Sequence, residues 1–174
     1  LDFFRTEPSL QELQKQAFRD HIALAKKHDL ALQIHDRDAH EAVVEVLLDV
    51  GAPEKTVFHC FSGDAALAQT LSEHGWYASF SGTVTFKNSQ GLREALAVMP
   101  KSHILVETDT PFLTPDPHRG KPNSPYMVPY TVVSMAHTLK RDVSLLAAQL
   151  TSNTYDVYGR WDDHPLDDVE PFLG

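Results

Sequence analysis

Four short runs of β-forming residues, each followed by a stretch with helical spacing, recur along this chain. They cover Ala31-Leu32-Gln33-Ile34-His35, Thr56-Val57-Phe58-His59-Cys60-Phe61, Trp76 to Gly82, and Ile104-Leu105-Val106 running on to Glu107. Successive runs start about two dozen residues apart, the rhythm of βα units whose strands lie parallel in one sheet. Their apolar residues come in near-continuous runs rather than alternating, which marks strands buried on both faces. A closed barrel of eight such units takes roughly 250 residues, and this chain has 174. The expected fold is therefore α/β: about four parallel βα units of a partial TIM (β/α) barrel, or an open four-stranded sheet, followed by C-terminal helices. Half a barrel leaves two apolar edges unpaired. That predicts either an upstream segment that completes the sheet or self-association through the open edges.

The intervening segments carry helix signals. Ser9-Leu10-Gln11-Glu12 has capping-box spacing, and Leu13, Phe18, Ile22 and Ala25 follow at helical intervals to about His28. Asp38 is placed to cap a second helix and Gly51 to end it. A third helix is expected from Ala65 to His74 with Gly75 as its stop, and a fourth around Leu92 to Val98. After the fourth strand comes a Pro/Gly/Asn-rich loop, Thr114 to Pro125, then helices over about Met127–Lys140 and Val143–Tyr155. Leu1 to Arg5 reads as the tail of a strand. No linker interrupts residues 1–160, which are expected to form one domain. Residues 161–174, acidic and proline-containing, are expected to be a loosely ordered tail.

Composition narrows the class. Hydrophobic residues make up 42 %, ordinary for a globular core, and no apolar stretch is long enough to span a membrane. No signal pattern opens the chain, and the single cysteine, Cys60, argues against a disulfide framework, so a reducing cytoplasm is the expected setting. Fifteen basic against twenty-four acidic residues give a net charge of −9. No global field therefore attracts nucleic acid, and any phosphate recognition has to be local.

The candidate chemistry gathers at predicted strand ends. His35, His59 and Asp109 each fall at or just past the C-terminal end of a different strand, the rim on which parallel barrels build their sites. Each alone reads as a hydrogen-bonded rim residue. Together, two imidazoles and a carboxylate read equally well as ligands of a divalent metal, with Asp109 also placed to take a proton from water. His118-Arg119-Gly120-Lys121-Pro122-Asn123 sets two cations around a glycine, which suits a phosphate and equally a solvated turn. Ser62-Gly63 and Ser81-Gly82 leave small residues and open backbone N–H groups at the rim, and read also as tight βα turns. Cys60 reads as a small buried thiol. Trp76, Phe80 and Phe86 read as core or wall.

These residues, in this order, resemble the TatD family of metal-dependent deoxyribonucleases. The resemblance rests on Ile34-His35-x-Arg37-Asp38-Ala39, His59-Cys60-Phe61-Ser62-Gly63, Ser79-Phe80-Ser81-Gly82, Glu107-Thr108-Asp109-Thr110-Pro111-Phe112-Leu113 and Arg119-Gly120-Lys121-x-Asn123. It implies a TIM-barrel metal hydrolase that cleaves DNA phosphodiesters, by a 3′–5′ exonuclease route, with a metal-activated water. Carried over, His35, His59 and Asp109 are metal ligands and Asp109 handles the proton. Glu107 and Arg37 support the ligands, and Arg119, Lys121, Asn123 and Ser62 face the phosphate or substrate. Mg²⁺ or Mn²⁺ is the implied cofactor, with Zn²⁺ compatible with histidine ligands, and DNA single strands or 3′ ends are the implied partner. The family's opening His-x-His strand and its bridging glutamate have no counterpart here, and by barrel length roughly 80 residues of the pattern are missing. Two alternatives follow: a related metal hydrolase acting on a small C–N or ester substrate, or a fragment that is catalytically incomplete by itself.

Overall fold

The computed structural model describes residues 1–160; the acidic tail expected over 161–174 lies outside the described residues. Four strands, β1 (Leu32–Ile34), β2 (Thr56–Phe58), β3 (Tyr77–Phe80) and β4 (Ile104–Val106), form one sheet in the order β1-β2-β3-β4. All neighbours are parallel, with Gln33 beside Val57, Phe58 beside Ala78 and Ser79 beside Leu105. Helices α1 (Pro8–His28), α2 (His40–Val50), α3 (Ala65–Glu73) and α4 (Gln90–Val98) punctuate the strands, and α5 (Val128–Thr138) and α6 (Val143–Tyr158) follow them. This is the strand-then-helix order of a (β/α) barrel, as the sequence rhythm predicts.

Strands β2 and β3 are buried on both faces, which is why their sequences run apolar, whereas β1 leaves Gln33 exposed. Ile34, Phe58, Ala78, Phe80 and Ile104 pack into the main core with helix residues such as Ile22, Val43, Leu71 and Leu96. On the opposite face, Val57 and Leu105 pack with Val157 from the last turn of α6. Phe58 and Phe80 are 2 % and 1 % exposed, and burying each stabilises the fold by about 1.5–3 kcal/mol. Buried Asn153 of α6 donates from its amide to the carbonyls of Lys101 and Ile104, both at 2.7 Å, tying the last helix to the start of β4. Trp76 is core, as expected.

Several boundaries differ from the sequence reading. Helix α1 begins at Pro8, not at a Ser9 cap: Glu7 precedes it without a side-chain cap bond. A proline in the first helical turn has the right φ and lacks only an N–H that would be orphaned there anyway. Asp38 does not cap α2. Ala39 holds the cap position, with no side-chain bond, while Asp38 adopts a left-handed φ of 54°. Asp64, by contrast, caps α3 by accepting from the N–H groups of Ala66 and Leu67. The strands are shorter than their apolar runs because the chain leaves the ladder early. After His59, for example, Cys60 turns it with φ 44°. Gly51 and Gly75 end their helices at φ 75° and 68°, as their lack of a Cβ allows.

Leu1 to Phe3 behaves as the strand tail its sequence suggests. Asp2 forms a parallel bridge with Arg37, through bonds from Phe3 N–H to Arg37 O (2.9 Å) and Arg37 N–H to Leu1 O (3.0 Å). Among the described residues β4 has no partner strand on its outer edge, and no helix is long and apolar enough to cross a membrane.

Candidate metal centre

His59 stands one residue beyond β2, its N–H bonded to Ile34 O at 3.0 Å, and Glu107 one residue beyond β4, its N–H bonded to Phe80 O at 3.1 Å. These ladder bonds aim both side chains at the rim. Two residues on, Asp109 takes a left-handed φ of 55°, which bends the chain back over the strand ends. His59 Nδ1 lies 2.7 Å from Glu107 Oε1, and His59 Nε2 lies 3.7 Å from Asp109 Oδ1. One ligand atom from each of His59, Glu107 and Asp109 can be chosen so that all lie within 4.8 Å of one another. The carboxylates raise the proton affinity of His59, chiefly through the Glu107 contact, against the opposing effect of burial.

Glu107 Oε1 is buried and makes no hydrogen bond among the described residues, although His59 Nδ1 lies 2.7 Å away. The short distance is a real approach of charge, and the missing bond leaves a carboxylate oxygen without a donor. A cation shared by the three side chains satisfies that oxygen. One imidazole and two carboxylates also form a donor set for Mg²⁺, Mn²⁺ or Zn²⁺, so the residues present fit a divalent metal. The surrounding cavity of about 390 Å³ is lined by Gln33, Ser79, Thr154 and Tyr158 as well, and Tyr158 donates to Gln33 Oε1 at 2.8 Å. A larger concavity of about 920 Å³ opens beside α2, α3 and the start of α4. Among the described residues it holds no cluster with metal-ligand spacing.

The other expected site residues distribute unevenly. His35 is one residue past β1, yet its Nε2 turns to Asp2 Oδ2 at 3.1 Å and its ring centroid stays 6.5 Å from that of His59. Arg37 makes no ion pair or side-chain hydrogen bond to the imidazoles or carboxylates among the described residues; it lies over the Phe4 ring. Arg119 lies over Phe86, 4.1 Å from its centroid. Gly120, at φ 88°, turns the loop, and the Lys121 carbonyl accepts from the Thr114 hydroxyl. Asn123 is buried, donating to the carbonyls of Thr108 and Phe112 and accepting from Ser124 N–H, so its polar atoms are spent inside the loop. Ser62 borders the larger outer concavity and reaches Asp36 O at 3.4 Å. Burial pushes the Cys60 thiol up to about 11, in keeping with an unreactive side chain.

Glu107 was expected to support the ligands; the structure places its carboxylate within the same group of candidate donors as His59 and Asp109. The signal was present in the sequence: two carboxylates spaced two residues apart immediately after an apolar run. The sequence reading also missed Asp36, whose carboxylate is buried and meets His40 Nδ1 at 2.5 Å.

The sequence profile described as TatD related DNase matches residues 1–159. The chain belongs to the TatD family. It is 48 % identical over 147 residues to the uncharacterized metal-dependent hydrolase TatD of Mycobacterium tuberculosis, covering 84 % of this chain and 56 % of that protein. It is 38 % identical over 154 residues to the uncharacterized metal-dependent hydrolase YcfH of Escherichia coli K12, covering 88 % and 58 %. The crystal structure of the TatD homologue YJJV from Escherichia coli K12 superposes with a TM-score of 0.85 at 27 % identity, over 92 % of this chain and 61 % of that one. A TatD-family hydrolase structure from Entamoeba histolytica shares the fold at 18 % identity and TM-score 0.79. The chain thus spans under two thirds of the length of these TatD-family proteins.

Proposed function

We propose that this chain carries the metal centre of a hydrolase that cleaves phosphodiester bonds of DNA. The observation that carries the reading is the His59, Glu107 and Asp109 group with its unbonded buried carboxylate oxygen, in a chain of the TatD-related DNase family. A divalent cation held there would supply Lewis-acid chemistry and would make water a better nucleophile. Asp109, the more exposed carboxylate, accepts the proton from that water. Glu107, the more buried one, holds its charge 2.7 Å from His59 Nδ1. Arg119, carried on Phe86, presents its guanidinium fork to phosphate, and Lys121 adds a point charge. His35, next to His59, completes the imidazole side once it turns from Asp2. Mg²⁺ or Mn²⁺ is the cofactor we infer, single strands or 3′ ends the substrate, and a reducing cytoplasm the setting.

The test is hydrolysis of labelled single-stranded DNA by the chain with Mn²⁺, with EDTA, and beside Asp109→Asn, together with a panel of small ester and amide substrates. Cleavage that EDTA abolishes and Asp109→Asn lowers by several orders of magnitude supports the reading, since the variant keeps shape but loses the proton acceptor. Cleavage unchanged in the variant, or faster turnover of a small C–N or ester substrate, overturns it. So does a chain that binds Mn²⁺ and hydrolyses no phosphodiester.

A further inference from the structure

Two guanidiniums at the strand-end rim rest on aromatic rings. Arg37 follows β1, and its Cζ stands 3.8 Å from the centroid of Phe4; Arg5 approaches the same ring at 5.1 Å. Arg119 is the second, over Phe86. Two other arginines are committed to the protein: Arg19 pairs with Asp49 at 2.7 Å, and Arg93 donates to the carbonyls of Val84, Phe86 and Lys87. Among the described residues Arg37 and Arg119 have no carboxylate within ion-pair distance and no side-chain hydrogen bond. Asp2, the acid nearest Arg37 in the sheet, is engaged with His35 and with the N–H of Phe4.

A ring beneath a guanidinium holds its plane and leaves the N–H edge free, and that edge matches two phosphate oxygens. Arg37 follows one end strand of the β1-β2-β3-β4 order, and Arg119 follows the other. The His59, Glu107 and Asp109 group comes from the ends of β2 and β4. In a chain of net charge −9, such local cations are what a polyanion can grip.

We propose that Arg37, carried on the Phe4 ring, is a phosphate-contacting residue, so that a DNA backbone is gripped on both sides of the metal group. The inference rests on the phosphodiester reading above and adds a contact on the β1 side to the one on the β4 side.

The test measures affinity for a fluorescein-labelled single-stranded oligonucleotide over a KCl series, in EDTA so that no turnover intervenes. Arg37→Gln should reduce the slope of log affinity against log salt by about 0.7, the share of one phosphate contact on a single strand. Arg37→Lys and Phe4→Leu keep the charge, so they should keep the slope and lose affinity several-fold. A merely structural role for Arg37 would leave the slope untouched. Replacing single phosphates by neutral methylphosphonates gives a reading on the unaltered protein, with losses expected on both sides of the cleavage position. A wild-type slope in Arg37→Gln, or methylphosphonate losses confined to one side, overturns the inference. If Arg119→Gln lowers the slope and Arg37→Gln does not, only this inference fails. If the unaltered chain shows no salt-dependent DNA binding, it fails together with the phosphodiester reading.

Discussion

The rim after β4 and the rim after β1 are built on opposite terms. After β4, the chain from Thr108 to Asn123 is held from within. Asn123, 5 % exposed, donates to Thr108 O at 2.7 Å and Phe112 O at 2.6 Å, and its own N–H bonds Pro111 O at 3.0 Å. That clasp spans two non-glycine residues in left-handed conformation, Asp109 (φ 55°) and Leu113 (φ 56°), each costing on the order of 1 kcal/mol. After β1, the His35 side chain is 59 % exposed and its one side-chain partner among the described residues is Asp2, itself 43 % exposed. Buried polar atoms must find partners, so the β4 loop has one satisfactory conformation; exposed ones can exchange partners with water. The carboxylates of the site are therefore pre-positioned, while His35 is restrained by a single surface contact.

The sharpest way to break this contrast is beneath the β4 loop. A Cβ at Gly82 would lie 2.0 Å from Leu113 O and 2.9 Å from Pro115 N, both backbone atoms that cannot swing aside. Gly82→Ala should cost about 3 kcal/mol in urea unfolding and abolish metal binding by displacing Asp109. A change within error would show that the loop is softer than its packing implies. Asn123→Ala comes next. It strands two carbonyls and should cost about 2 kcal/mol. Asn123→Asp keeps the acceptor for Ser124 N–H yet loses both amide donors, so it should fall close to the alanine variant. An aspartate variant as stable as the parent would mean the amide donors contribute little.

What the sequence disclosed follows from the range over which each interaction acts. The βα rhythm, the parallel sheet and the strand-end positions of His35, His59 and Asp109 are local or periodic features, and all were legible. Gly82 looked like an ordinary turn residue because its reason, contact with Leu113 and Pro115, lies about thirty residues away and has no local signature. Asn123 was read as facing substrate because an amide in a basic loop is indistinguishable, by sequence, from one folded inward. His35 turns to Asp2 across a pairing between the chain's first residues and the end of β1, which neither segment announces alone.

A second buried contact separates the two rims more gently. His40 Nδ1 meets Asp36 Oδ2 at 2.5 Å at the start of α2, and this contact raises the His40 pKa against the opposing effect of burial. A raised folded-state pKa stabilises fully below the unfolded value of about 6.5 and is lost as pH rises through the folded value. His40→Gln should therefore separate from the parent most at acidic pH, by about 2 °C in melting temperature, and converge with it in alkali. A gap that widens with rising pH would reverse the assignment of charge.

The Asp2–His35 contact should give the smallest effect of all. Its hydrogen bond to His35 is the largest cause holding the Asp2 carboxyl below its usual range. A depressed folded-state pKa contributes stability above the unfolded value of about 3.9, lost as pH falls through the folded one. Both side chains are well exposed, however, so solvent and salt screen the pair. Asp2→Asn should leave the melting temperature within error at neutral pH and high salt. Its informative readout is Mn²⁺ affinity, which should hold or rise as the imidazole, freed from Asp2, becomes available to the metal group. An Asp2→Asn variant that loses Mn²⁺ affinity would mean that Asp2 fixes His35 in its working position. The β1 rim would then be as deliberately built as the β4 rim, by a charge at the surface instead of an amide beneath it.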